Sequence, residues 1–238
     1  MYGGLEMKRS MMKAAAAAIS TAALTALAAP AMAAQLSVTS YDMPNGDGNA
    51  HSGTWNYWDA NYTGSGAKTT DDAPLSGGLG KLTDGFVSTS PWYLVSNLAG
   101  TGDYVGWRHS GATDPTVTFH FAGVPTITDI KIQMDNTNVG GVYAPSSILI
   151  DGVSTAFTPP ANGSVGTVDF AGLSLTGATH TIQFLQDLGH GDSWVFVSEM
   201  SFFGAVPEPA TWAMVLAGFG LAGVALRRRG AAPKARIV

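Results

Sequence analysis

The sequence predicts an all-β fold, an antiparallel β-sandwich, set between an N-terminal signal helix and a C-terminal transmembrane helix. Three observations predict it. Short period-two runs recur from Leu36 to Phe203, bounded by Gly, Pro, Asn or Asp. No stretch between Gln35 and Gly204 sustains a helical spacing of apolar residues. Near each end an uncharged stretch stands beside basic residues, as targeting segments do.

The first element is the leader. Lys8, Arg9 and Lys13 form a positive n-region, Ala14 to Ala29 an apolar h-region, and Ala31-Met32-Ala33 a small-x-small cleavage site. Residues 1–33 are thus expected to be a signal peptide, handled by the Sec translocon and signal peptidase and cut after Ala33. The alternative, a retained N-terminal anchor, suits the sequence less well because Ala inserts weakly into lipid. Met7 opens the basic run directly and is a more natural start than Met1.

Removing the two ends changes the charge. Between Gln35 and Gly204 the four basic residues Lys68, Lys81, Arg108 and Lys131 face fourteen Asp and Glu199, a formal −11 against −5 for the whole chain. So acidic a body is not expected to bind nucleic acid, whose affinity rests on Lys and Arg displacing counterions. Asp in excess over Glu marks turns and also supplies hard oxygen ligands. The chain has no cysteine, and a body of this size buries enough apolar surface without disulfides.

Residues 35–204 are read as one sandwich domain. Leu36 to Tyr41 alternates and meets a turn at Asn45-Gly46. Asn49 to Gly80 is the least regular part, rich in Gly, Asn, Asp and Thr and carrying Trp55, Tyr57, Trp58 and Tyr62; long loops with one hairpin are expected. Val117, Phe119 and Phe121 alternate against Thr116, Thr118 and His120. Ile130, Ile132 and Met134 follow, then Ile148 and Ile150 before the Asp151-Gly152 turn. Val168 and Phe170, Ile182 and Phe184, and finally Trp194 to Phe203 complete the series. In that last strand Phe196, Met200 and Phe202 are expected on the core face, with Glu199 pointing away.

The succession is more specific than its parts. Leu-Thr-Asp-Gly at 82–85, Tyr-Val-Gly-Trp at 104–107, Thr-Val-Thr-Phe-His-Phe at 116–121 and Ile-Thr-Asp-Ile-Lys-Ile-Gln-Met at 127–134 come in order. Gly-Val-Tyr-Ala-Pro-Ser-Ser-Ile at 141–148 and Trp-Val-Phe-Val-Ser-Glu-Met-Ser-Phe at 194–202 follow. This order resembles the discoidin, or coagulation factor 5/8 C-terminal-like, galactose-binding jelly roll from about residue 81 to 204. The resemblance implies a binding module for carbohydrate or membrane surfaces, often with a structural Ca²⁺. Residues 35–80 are a longer lead-in than the family pattern.

Asp84 precedes Gly85 at a tight turn, where side-chain and backbone oxygens converge, and such oxygens suit Ca²⁺. The resemblance places Asp84 and Glu199 where the family's Ca²⁺ ligands fall, with Ser88 or Thr89 adding oxygens. For a sugar, aromatic faces and planar polar groups at strand ends are the candidates: Trp92, Tyr93, Trp107, Arg108, His109, Asn136, Asn138, Tyr143, His190 and Asp192. Arg108 is the one arginine of the domain, and its guanidinium suits vicinal hydroxyls or a uronic carboxylate. Trp107 and Trp194 also fit a buried role, as most large aromatics do.

The last element is the tail. Pro207, Glu208 and Pro209 precede Ala210 to Leu226, 17 residues without a charge, and then Arg227, Arg228 and Arg229. As a helix the stretch spans about 25 Å, just under a hydrocarbon core of ~30 Å. Each arginine costs roughly 2.5–3.5 kcal/mol at the bilayer centre, so the three stay in the cytoplasm with residues 230–238, and the body lies outside. This ordered combination resembles the PEP-CTERM sorting signal over 206–229. The resemblance implies an exosortase as processing partner, cleavage at or near Pro207-Glu208-Pro209, and transfer to the cell surface or matrix.

Catalytic constellations are weak. No histidine pair has zinc-site spacing, no Gly-x-Ser-x-Gly elbow occurs, and Asn45-Gly-Asp-Gly-Asn49 resembles half a calcium loop without its closing Glu. Three functions compete: a non-catalytic, exported protein binding polysaccharide of an exopolysaccharide or biofilm matrix; a polysaccharide lyase or hydrolase on the same fold; and a purely structural matrix component.

Overall fold

The structure, a computed structural model, describes residues 33–48, 55–110, 114–186, 188–190, 193–205, 219–220 and 223. The expected signal peptide before Ala33, most of the 210–226 stretch, the sorting residues Pro207, Glu208, Pro209 and Arg227 to Arg229, and Asp192 lie outside them. Among the described residues no helix is long and apolar enough to cross a membrane.

The fold is an all-β antiparallel sandwich. Its strands are β1 (Ala34–Leu36), β2 (Val38–Pro44), β3 (Pro74–Gly78), β4 (Val105–Arg108), β5 (Thr116–Phe121) and β6 (Thr126–Asn136), then β7 (Ser147–Ile150), β8 (Val153–Thr155), β9 (Ser164–Thr176), β10 (Thr179–Leu185) and β11 (Trp194–Ala205). One sheet runs β1-β11-β6-β9 with β4 also on β11, and the other β3-β2-β5-β10-β7-β8. The period-two reading holds cleanly in β5. Val117, Phe119 and Phe121 are buried while Thr116, Thr118 and His120 between them are not. The two sheets meet at Phe119 and Phe202, whose rings lie 4.7 Å apart. Burying each such side chain contributes roughly 1.5–3 kcal/mol. Asp151 and Gly152 both take positive φ, 50° and 77°, which a two-residue hairpin between β7 and β8 requires.

The last strand departs from the expected face. A register shift between Val197 and Glu199 breaks the alternation. Val195, Val197, Met200 and Phe202 therefore face the main core. Phe196 points the other way, into a second aromatic cluster with Tyr57, Trp92, Tyr104, Val142 and Trp194. Glu199 also leaves the main core, as expected, yet it is only 3% exposed. The 3-10 turn Lys81–Thr83 and the loop after it cover that face, and the Gly85 N–H donates to Glu199 Oε2 at 3.0 Å.

The irregular lead-in is folded, and polar side chains hold it. Asn45, fully buried, accepts the N–H groups of Gly46 and Asp59 on its Oδ1, both at 2.9 Å, and donates from Nδ2 to Thr70 O at 3.1 Å. The Tyr41 hydroxyl donates to Asp59, and the Tyr62 hydroxyl donates to Tyr41 O. Within residues 49–80 the antiparallel pairing is a bridge between Ser65 and Ser76, while β3 at the end of that stretch pairs with β2, which lies before it.

Candidate functional site

Two places hold the predicted residues. The first is the end of the sandwich where β4 and β6 finish and β9 and β11 begin. Trp194 pairs with Arg108 across β11 and β4, and the Arg108 guanidinium lies 5.7 Å from the Trp194 ring centroid. That separation is within cation–π range. The Tyr143 N–H donates to Trp194 O at 3.0 Å, so the Tyr143 ring is fixed beside the same strand. It stacks on His190 at 4.0 Å and 23° between planes. His109 is tied in by its N–H to Ser193 O at 2.9 Å, and its Nδ1 lies 3.3 Å from Gln186 Oε1.

Four predicted residues thus converge on one rim: Arg108, His109, Tyr143 and His190. Three others serve the scaffold. Trp107 is fully buried, stacked 5.9 Å from Phe184, with its indole N–H donated to Pro44 O at 2.9 Å. Asn136 is buried between Pro160 O, to which Nδ2 donates at 2.7 Å, and the Ala144 N–H, which Oδ1 accepts at 2.9 Å. Trp92 packs in the second cluster and donates its indole N–H to Val139 O at 3.2 Å. Tyr93 and the adjacent Leu94 are exposed. Asn138 takes the left-handed conformation at φ 61°, and its Oδ1, like the Thr137 hydroxyl, is buried without a hydrogen-bond partner among the described residues. Trp194 is buried in the second aromatic cluster, as its sequence context predicts, with Arg108 over its ring; no pattern in the sequence singles out Thr137.

Asp47 shapes the electrostatics here. It is buried, accepts the Arg108 N–H, and is pushed up to about 7, chiefly by burial and further by Asp72 and Asp71. A carboxylate under the arginine backbone and two more acids nearby moderate the positive field of Arg108.

The second place is the turn around Asp84. Glu199 Oε2 accepts the Gly85 N–H, and its Oε1 accepts the Ser201 hydroxyl at 3.1 Å. Burial, with Asp84 adding, pushes the Glu199 carboxyl up to about 7. The Thr83 hydroxyl is buried without a partner and lines the same cavity as Glu199, of about 450 Å³. A buried carboxylate, an orphaned hydroxyl and a neighbouring Asp form an all-oxygen set that fits a hard cation. Ser88 is otherwise engaged, its hydroxyl donating to Asp103 at 2.7 Å, while Thr89 is exposed. Among the described residues no group of three His, Cys, Asp or Glu side chains converges for a metal, so any ion here relies on hydroxyl and backbone oxygens.

Residues 37–158 match the family model described as discoidin domain-containing receptor 1/2, DS-like domain. Residues 205–229 match the PEP-CTERM protein-sorting motif, which marks the chain for export and membrane-anchored surface localisation. Among solved structures, the CBM32 of AlyQ in complex with 4,5-unsaturated mannuronic acid is 12% identical with a TM-score of 0.37, covering 71% of this chain and 98% of its own. A truncated AlyQ with CBM32 and alginate lyase domains is 13% identical with a TM-score of 0.38, covering 74% of this chain, which spans 34% of that one. The family 32 CBM of Clostridium perfringens NanJ in complex with galactose is 17% identical with a TM-score of 0.29, over 42% of this chain and 76% of its own. No curated protein matches the chain.

Proposed function

The chain belongs to the family of discoidin domain-containing receptor DS-like domains, and from that premise we propose that it is a non-catalytic protein that binds polysaccharide at the Arg108 rim. One observation carries the reading: Arg108 lies on the Trp194 face beside the stacked pair Tyr143 and His190. An aromatic surface offers the apolar face of a pyranose ring a place to stack, and a guanidinium offers paired N–H donors to vicinal hydroxyls. Nothing at the rim has to bond covalently with a sugar for this to work. The body is delivered outside the inner membrane by its leader, held by a tail helix at 210–226, and passed by an exosortase into an exopolysaccharide matrix.

A structural Ca²⁺ belongs to the same proposal. Asp84, Glu199 and the Thr83 hydroxyl would hold it, and the ion would supply the positive charge that buried Glu199 calls for. Its work is to fasten the covering loop to β11.

The test is a glycan array probed with the exported protein. Saturable binding to a defined polysaccharide, lost in Arg108→Ala, is the expected result. Release of reducing or unsaturated ends from the bound glycan would replace the reading with a hydrolase or lyase. Absence of binding across neutral and acidic glycans would leave the structural matrix role instead.

A further inference from the structure

The two ends of the exported body lie side by side. β1 pairs antiparallel with β11, with Ala34 opposite Gly204. Thr126, at the start of β6, faces Ala205 on one side and Thr176 on the other. The Gly177 N–H donates to Pro125 O at 3.3 Å, closing the β9–β10 turn over the β5–β6 turn. One end of the sandwich therefore gathers the start of β1, the finish of β11 and these two turns. β11 is 12 residues long, so at about 3.3 Å per residue Trp194 and Arg108 stand about 36 Å away, at the opposite end.

The turns at the β1–β11 end are Ala122-Gly123-Val124-Pro125 and Gly177-Ala178, without a charge, and Val124 is 67% exposed. The acids nearest to it are Asp151 and Asp129. Asp151 Oδ2 lies 2.7 Å from His180 Nδ1, and Asp129 accepts the Thr128 hydroxyl at 2.6 Å. The opposite end holds Asp47, Asp114 and Asp135, each accepting a backbone N–H, together with Arg108. In sequence, residues 206–209 separate Ala205 from the uncharged stretch that begins at Ala210. Even fully extended, that link reaches at most about 18 Å.

We propose that the uncharged end of the sandwich, formed by the β5–β6 and β9–β10 turns with the paired ends of β1 and β11, faces the lipid headgroups while the tail anchors the chain, so that the Arg108 rim points outward. This rests on the anchored reading of the tail. The short link leaves the body no room to lie far from the bilayer. Ala205 leaves the body where the β5–β6 and β9–β10 turns carry no charge, so the link holds that end against the bilayer and nothing in those two turns repels an anionic headgroup layer. The glycan rim is then free to engage ligand before sorting cleavage.

The chain contains no cysteine, so single-cysteine variants can carry a fluorophore without background labelling. The full-length protein is reconstituted into phosphatidylcholine–phosphatidylglycerol vesicles as Val124→Cys or Leu94→Cys, the latter an exposed position beside Trp92 at the far end. A headgroup-attached nitroxide is expected to quench the probe at position 124 and leave that at 94 unquenched. Equal quenching, or quenching at 94 alone, with protein still in the vesicles after carbonate washing, overturns the orientation and leaves the anchor standing. Loss of the protein to the carbonate supernatant overturns the anchor and the orientation together. Protection of position 124 that arises only when the sorting protease is added assigns this end to the protease and overturns the lipid contact. Glycan binding enters none of these readouts, so the Arg108 reading stands or falls separately.

Discussion

The Arg108 guanidinium lies over the Trp194 ring, 5.7 Å from its centroid, where β4 ends and β11 begins. Its backbone N–H is anchored independently on Asp47. Side chain and main chain thus have separate tasks, and Arg108→Ala removes the first alone. Charge-assisted hydrogen bonds are worth about 1.5–3 kcal/mol, which corresponds to a loss of about 10–100-fold in glycan affinity. Arg108→Lys is expected to recover little, because an ammonium neither stacks flat nor donates in a fork. Titration calorimetry with the array-selected glycan measures both; unchanged affinity in Arg108→Ala would displace the site from this rim.

Trp107 is the neighbouring residue with the opposite role. It is fully buried against Phe184, so Trp107→Ala is expected to cost about 3–5 kcal/mol of stability. Tyr143→Ala, at the half-buried rim, is expected to weaken glycan binding with a small change in stability. Urea unfolding and binding isotherms on both variants separate scaffold from contact.

These two residues also show what the sequence could and could not convey. Alternation in β5 named Val117, Phe119 and Phe121 as inward residues because the period of a strand leaves no freedom. It failed in β11, where the register shift at Val197–Glu199 turned Phe196 out of the main core. An extra residue of this kind leaves no mark in apolar spacing. Arg108, His109, Tyr143 and His190 were legible as strand-end polar and aromatic residues, and they do converge. Trp92, Trp107 and Asn136 share that description yet are buried, since residue type does not reveal which face a strand end presents. The lead-in before residue 80 had no periodicity to read, because Asn45 and Asp59 rather than an apolar stripe hold it.

Calcium is expected to raise the melting temperature of the purified protein, and chelator to reverse it. A ligand present at 100 times its dissociation constant stabilises by about 2.7 kcal/mol, which shifts Tm by several degrees in a domain of this size. Glu199→Gln is expected to abolish the shift, since it keeps an acceptor for the Gly85 N–H but removes the charge. An unchanged Tm on chelation would leave Glu199 as a buried acid without an ion.

Asp47 gives a pH dependence with a definite sign. Its carboxyl is raised from 3.8 to about 7 in the fold, mainly by burial. Between those values the folded chain holds a proton that the unfolded chain has released, so stability falls as pH rises from about 4 to 7. Asp47→Asn keeps an acceptor for the Arg108 N–H and has no proton to lose. It is expected to flatten the decline and to raise Tm at pH 8, measured in chelator so that no ion contributes. An identical slope in Asp47→Asn would assign the effect to other acids.

Asp59, fully buried, accepts the Tyr41 hydroxyl on Oδ2 and the Lys81 N–H on Oδ1 at 3.2 Å. The Lys81 ammonium is buried too, donating to Trp58 O at 2.6 Å, Gly100 O at 2.5 Å and Tyr104 O at 3.3 Å. Burial pushes Lys81 down to about 8 and the Asp59 carboxyl up, so each charge depends on the other remaining in place. Asp59→Ala leaves a buried ammonium without its nearby negative charge and strips Tyr41 of its acceptor. Each buried donor left without its acceptor, the Tyr41 hydroxyl and the Lys81 N–H, costs about 1–3 kcal/mol. Lys131 and Asp169, half-exposed at 3.5 Å, provide the control, because an exposed pair is worth about 0–1 kcal/mol. Asp59→Ala is therefore expected to unfold at much lower urea than Asp169→Ala, with limited proteolysis cutting first between residues 49 and 73. Equal midpoints for the two variants would mean that the lead-in is held by its aromatic contacts, Tyr41 on Tyr62 at 5.2 Å among them, and that the buried charges add nothing.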